Sequence, residues 1–409
     1  MKRGVVLVIG VVLAGAGAIV RSGPGADAPV PMSIAGPKAS DLGAPDRKPE
    51  VRSPRSEVPL QLDLSTLALA GDHYEATLGH ATVALTLDPD LQALAEQLLA
   101  KARAPRAAIV VMTPDGKILA LAGRRTDDPK GGRDGKADWR LATDPWAPAA
   151  SVFKLVTASA LVAGGLDPDA PVCFHGGLRS VVESNLHDDK RDYACKSLAF
   201  GVAHSNNAIL GKLAFQHLQP DQLAEMAHDL FGDLPASLAV PARFGDLAVP
   251  STHDLAFAQA AAGFSETKLS ALGGALLAAT FANGGERPVP RLVAATAPEP
   301  ARRVLPETVA RAVEKMMIGT CRDGSAARSF GRHDLAVAGK TGTLARDQPF
   351  YMEHSWFVGY APADHPQVIV SVVLGNPEDW HLRAHEAART LIDHVMRQDR
   401  ADRTAKSRR

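Results

Sequence analysis

From Pro89 onward the apolar residues fall into regular patterns. Leu91, Leu94, Ala95, Leu98 and Leu99 recur at i, i+3, i+4, i+7 and i+8, which puts them on one face of a helix. Asp88-Pro89 opens that helix, an acidic N-cap followed by proline at the first helical position. Ala107 to Met112 and Lys117 to Leu121 then read as strands, with Thr113-Pro114-Asp115-Gly116 placed to turn between them. Near the other end, Ser355 to Ala361 and Gln367 to Leu374 make a second strand pair around Pro362–Pro366. A last helix is predicted from His381 to Met396, with Ala384, Ala388, Leu391, Ile392 and Val395 on one face. The middle, roughly 150 to 320, is Ala/Leu-rich with helical periodicity. The expectation is an α+β fold: an antiparallel β-sheet built from both chain ends, flanked by helices, with a large helical subdomain between.

The start of the chain differs in kind. Lys2 and Arg3 precede an apolar run from Gly4 to Val20, with no charge before Arg21. Such a pattern directs a chain to a membrane. The run falls slightly short of the ~20 residues that a spanning helix needs, and Ala14-Gly15-Ala16 or Ala16-Gly17-Ala18 would suit a signal peptidase. A retained anchor and a cleaved signal both stand, and either exports the rest. Residues 22–58 are rich in Pro, Gly, Ala and mixed charge without periodicity, as a flexible linker is. The expected division is a membrane anchor or signal over 1–21, the linker over 22–58, a short β region over 59–81, a main domain over 82–398, and a charged tail over 399–409, with fraying expected from Arg397.

Composition narrows the function classes. The 45 basic and 45 acidic residues cancel, and aromatics make up only 5%, so neither charge nor base stacking argues for a nucleic-acid partner. Cys173 and Cys195 flank a polar stretch. In an oxidising compartment they would close a loop of ~20 residues, worth about 3 kcal/mol in the chain-entropy model. The sequence leaves that pairing open and makes Cys321 a spare, partly buried thiol. No cysteine pair has zinc-knuckle spacing, and His385-Glu386-Ala387-Ala388-Arg389 stops short of a zinc-hydrolase motif. No metal or cofactor is expected.

Three polar motifs carry the candidate chemistry: Ser151-Val152-Phe153-Lys154, Ser205-Asn206-Asn207 and Lys340-Thr341-Gly342. Ser151 begins an apolar helical run, and a spacing of three on a helix sets Ser151 beside Lys154. A serine hydroxyl needs a base to become a nucleophile. A lysine supplies one once burial and a second cation, here Lys340, push its pKa down. Ser205 and Asn207 belong on a turn between helices, where a hydroxyl can pass a proton and a carboxamide can both donate and accept. Lys340, Thr341 and Thr343 sit at the tip of an apolar approach strand, as the wall of a cleft would, and Gly342 lets backbone approach a ligand closely. Each motif alone is also ordinary capping or turn sequence. Ser265-Glu266-Thr267-Lys268 matches the first pattern equally well. It follows the second motif and opens no long apolar helix, so it is taken as a loop decoy.

Order and conjunction decide the matter. Ser-x-x-Lys, then Ser-x-Asn, then Lys-Thr-Gly mark the serine D,D-peptidases and β-lactamases. Residues 82 to 398 resemble the transpeptidase domain of penicillin-binding proteins, especially the monofunctional, membrane-anchored kind. Further stretches in that likeness are Leu85-Thr86-Leu87-Asp88, Ala282-Asn283-Gly284-Gly285, Val337-Ala338-Gly339 before Lys340, and Trp356-Phe357-Val358-Gly359-Tyr360. The resemblance implies Ser151 as acylated nucleophile and Lys154 as its base. Ser205, Asn207 and Lys340 would relay protons and orient the peptide. Thr341 and Thr343 would bind the terminal D-alanine carboxylate, and the Ser151 and Thr343 N–H groups would form the oxyanion hole. It implies peptidoglycan stem peptides as substrates, β-lactams as inhibitors, and a place at the bacterial inner membrane with the catalytic domain in the periplasm, where a glycosyltransferase would be a partner. Ala149-Ala150 stands where such enzymes often carry Pro-Gly, and the region before the domain is too short for a large pedestal module.

Peptidoglycan D,D-transpeptidation is the expected activity. The alternatives are a D,D-carboxypeptidase, a non-turnover β-lactam sensor and a class D-like β-lactamase, the last two more often with valine in place of Asn207. A class A β-lactamase needs a Glu-x-x-x-Asn stretch between the second and third motifs. Asn283 is the single asparagine there, and Ala279 stands four before it.

Overall fold

The computed structural model describes residues 60–232 and 238–407; the anchor and the linker expected over 1–21 and 22–58 lie outside them. Among the described residues no helix is long and apolar enough to cross a membrane.

Three strands come first, β1 (Leu62–Ala70), β2 (His73–Leu78) and β3 (Ala81–Ala84), paired in that order as a small antiparallel sheet. The β region therefore runs past the expected limit at 81. Asp88 caps α1 (Pro89–Ala102), its carboxylate accepting from the Leu91 N–H. Next come β4 (Arg106–Met112) and β5 (Ile118–Arg125), joined by the expected turn, and then the two-residue β6 (Lys136–Ala137). The helical part includes α2 (Lys154–Ala163), α3 (Leu198–Ala203), α4 (Asn207–His217), α5 (Leu255–Ala261), α6 (Ala271–Ala282), α7 (Glu307–Arg322) and the single turn α8 (Ala327–Phe330). The chain then returns to the sheet through β7 (Ala338–Arg346), β8 (Met352–Ala361) and β9 (Val368–Asn376), and ends in α9 (Ala384–Ser407).

The main sheet has the order β7-β8-β9-β4-β5-β6, with antiparallel pairing throughout. Both chain ends thus build it, and β7 is an edge. Both faces are covered. Trp356, Val358 and Tyr360 of β8 enter the core shared with the helical part. Phe357 and Ala361 enter a second core with α1 and α9. Burial on both sides leaves Trp356 to Ala361 of β8 and Val368 to Leu374 of β9 apolar except at the buried Ser371.

Two boundaries are corrected. The tail expected to fray from Arg397 is helical to Ser407: once α9 is nucleated against the sheet, each further residue adds a hydrogen bond at small entropic cost. Lys340-Thr341-Gly342 lies inside β7 rather than at a strand tip, because Thr341, Gly342 and Thr343 pair with Phe357, Trp356 and Ser355 of β8.

Candidate active site

Ser151 sits in a 3₁₀ turn, Ala150–Phe153, that feeds directly into α2. Ala150 before it holds φ 48°, in the left-handed region. An L-residue there carries strain of order 1–2 kcal/mol, and it fixes the entry to the turn. Lys154 is fully buried, and its Nζ lies 2.7 Å from Ser151 Oγ. The same nitrogen is 2.8 Å from Asn207 Oδ1 and 2.5 Å from the carbonyl of Ala262. Burial drives the Lys154 pKa well down, and the charge of Lys340 adds to the effect.

Ser205 occupies the turn between α3 and α4 with φ 56°. Its hydroxyl accepts from Lys340 Nζ at 3.2 Å, while Lys340 also donates to the Thr341 carbonyl at 2.9 Å. Burial lowers Lys340 to about 7 from its ordinary 10.5. The unfolded chain binds the extra proton between those values, so this lysine's penalty on stability fades as pH rises from about 7 to 10.5.

Gly342 serves packing as well as approach. A side chain there would press on Trp356, Ala150 and Val152 at 3.2–3.4 Å, so its absence seats the nucleophile's turn against the sheet. The open cleft, about 720 Å³, is lined by Ser151, Ser205, Asn207, Thr341, Gly342 and Thr343. All eight motif residues therefore meet: six line one cleft, and Lys154 and Lys340 form its buried floor. The decoy does not join them. Ser265 Oγ accepts from the Thr267 N–H at 3.2 Å, and Lys268 is exposed on a short strand.

Three contributions were invisible in the motifs. The Ala262 carbonyl reaches Lys154 because Gly263 follows at φ 96°, where a side chain would strike the Ala150 carbonyl at 2.3 Å. Ser325 lines the cleft, and its hydroxyl lies 2.5 Å from Thr341 Oγ1. The third is the loop closed by Cys173 and Cys195, which form a disulfide. Its Gly177 and Leu178 carbonyls accept from the Asn207 backbone N–H at 3.0 Å and side-chain Nδ2 at 3.3 Å. The remaining thiol, Cys321, is more deeply buried than expected, at 2% exposure.

That loop is pinned from beneath. Lys212, 1% exposed, donates to Asp192 at 2.8 Å and to the Cys173 carbonyl at 2.8 Å. Asp192 also meets His175 Nδ1 at 2.6 Å. Burial by itself would raise the Asp192 carboxyl, but hydrogen bonds from His175 and Lys212 outweigh it and hold it below its ordinary value. Asp192→Ala strips Lys212 of its buried counter-charge, leaving only the exposed Asp188 at 2.9 Å. A loss of about 3 kcal/mol is expected in denaturant unfolding, together with slower penicillin acylation as Asn207 loses its supports. An unchanged unfolding midpoint would remove this role.

Comparison with known proteins places the chain. Residues 107–395 match the penicillin binding protein transpeptidase domain, and the chain belongs to that family. It is 26% identical over 332 residues to penicillin-binding protein PbpB of Mycobacterium tuberculosis, covering 73% of this chain and 48% of that one. It is 27% identical over 311 residues to peptidoglycan D,D-transpeptidase PbpA of the same organism, covering 67% and 62%. The chain thus spans about half to three-fifths of the length of these curated relatives. Among solved structures, penicillin-binding protein 3 of M. tuberculosis complexed with aztreonam shares the fold at TM-score 0.64 and 22% identity, over 85% of this chain and 88% of that one. Penicillin-binding protein A of that organism, as an imipenem acyl-enzyme complex, does so at TM-score 0.63 and 24% identity, over 77% and 79%.

Proposed function

We propose that this chain is a peptidoglycan D,D-transpeptidase that works through an acyl-enzyme on Ser151. The observation that carries the reading is the buried Lys154, held between Ser151 Oγ, Asn207 and the Ala262 carbonyl. Burial that lowers its pKa favours the neutral amine, the form that accepts the serine proton. Ser151 Oγ attacks the penultimate D-alanyl carbonyl, and the proton passes to Lys154. The oxyanion is met by the N–H groups of Ser151 and Thr343, a type of contact worth about 3–4 kcal/mol per donor. Ser205, whose hydroxyl accepts from Lys340 Nζ at 3.2 Å, relays that proton from Lys154 to the leaving D-alanine amine. Thr341 and Thr343 hold the terminal carboxylate, with Ser325 orienting Thr341. An amine of a second stem peptide then attacks the acyl carbonyl, its proton returning to Ser151 Oγ by way of Lys154 as the C–Oγ bond breaks.

This function belongs outside the cytoplasm, with the N-terminal apolar segment holding the domain at the inner membrane and a glycosyltransferase supplying the glycan strands. The decisive experiment incubates the protein with a pentapeptide-bearing glycan strand and follows D-alanine and cross-linked product by mass spectrometry. Both are expected. D-Alanine without cross-links, under excess acceptor, would make the protein a carboxypeptidase. Penicillin labelling with no D-alanine release would make it a sensor.

A further inference from the structure

A second cavity, about 170 Å³, opens on the far side of α8 between the loop after that helix and the exposed face of α9. Residues 389, 393, 397 and 400 follow one another at helical spacings of four, four and three, so they share one face of α9. Arg389, Arg397 and Arg400 reach the cavity from that face, and Arg332 closes it from the loop. Against these four arginines stand two aspartates, Asp334 and Asp393, so the arginines outnumber the carboxylates by two.

Asp393 is already committed. Its Oδ1 lies 2.7 Å from His333 Nε2, and its Oδ2 lies 3.5 Å from Arg389 Nε. Arg389 spends another N–H on the Ser329 carbonyl at 2.6 Å. Arg332 and Arg397 make neither a hydrogen bond nor an ion pair with any described residue. Two unspent guanidinium groups therefore face one small cavity, where like charges repel unless an anion sits between them.

We propose that this cavity binds a phosphate group. The guanidinium fork matches both carboxylate and phosphate in geometry, and charge decides between them. A carboxylate would cancel half the excess, whereas a phosphomonoester brings about −1.5 to −2 at neutral pH. The cavity, about 170 Å³, has room for one such group. The source is either a soluble phosphomonoester or the phosphomonoester headgroup of a lipid, as in phosphatidic acid. The site stands apart from Ser151, and nothing in it depends on the transpeptidase reading.

The full chain would be titrated with inorganic phosphate, diphosphate and acetate at constant ionic strength, following thermal unfolding. Phosphate and diphosphate are expected to raise Tm saturably, and acetate is not. The double variant Arg332→Gln/Arg397→Gln should lose the response, while Arg302→Gln, an exposed arginine elsewhere, should keep it. Sedimentation with vesicles of phosphatidic acid in phosphatidylcholine and of phosphatidylcholine alone identifies the source. Phosphatidic acid binding that the double variant lacks points to a lipid headgroup, and a phosphate response with equal vesicle binding points to a soluble ligand. A wild-type response that does not saturate, a response equal to that with acetate, or one unchanged in the double variant would overturn the proposal.

Discussion

Ser151→Ala will abolish covalent labelling by a fluorescent penicillin, and Ser265→Ala will leave it at the wild-type level. The two serines carry the same local motif, yet their surroundings differ in every respect that matters to nucleophilicity. Ser151 Oγ faces a buried amine at 2.7 Å, at the mouth of the cleft that holds Thr341 and Thr343. Ser265 Oγ closes a turn on its own backbone, and the lysine three residues on points to water from a strand. The measurement is fluorescence on a denaturing gel at saturating penicillin. A persistent band in Ser151→Ala would sink the assignment of the nucleophile.

Lys154→Met is expected to slow penicillin acylation by about 10³-fold, within the usual range for removing a general base, while preserving side-chain length in a site that admits no solvent. The rate is read by stopped-flow or by time-resolved labelling. A fall of less than tenfold would mean that another group takes the proton. The companion lysine sets the pH dependence. Lys340, at about 7, is cationic below that value and neutral above it, and its charge is one of the two causes lowering Lys154. Lys340→Met removes that repulsion, so the Lys154 pKa should climb and the acidic limb of the kcat/KM profile should move to higher pH. A limb that moves down, or stays, would contradict the coupling of the two ammonium groups.

How far the sequence carried depended on the kind of contact involved. The central strands β4, β8 and β9 were legible because burial on both faces leaves each a long apolar stretch, and α1 because Asp88-Pro89 marks its start. Ser151 and Lys154 were legible because helical spacing alone makes them neighbours. Lys340 could be assigned to a wall, yet its place inside β7 came from pairing with β8, which no local pattern encodes. The Ala262 carbonyl was out of reach for a plainer reason: it is a backbone group, 108 residues from the lysine it receives. The Gly177 and Leu178 carbonyls that steady Asn207 are of the same type. A side-chain motif names the reacting groups; the backbone that orients them is set by the tertiary fold.

The position of β7 at the sheet's rim has a consequence for selectivity. Its inner side is bonded to β8, and its outer side borders the cleft that contains Ser151. An extended peptide laid along that rim would gain main-chain hydrogen bonds as an added strand does. Those bonds are blind to side-chain identity. Tolerance for variation along a bound peptide is thereby built into the edge itself, and discrimination falls to the few residues on the opposite wall, Arg179, His204 and Phe264 among them.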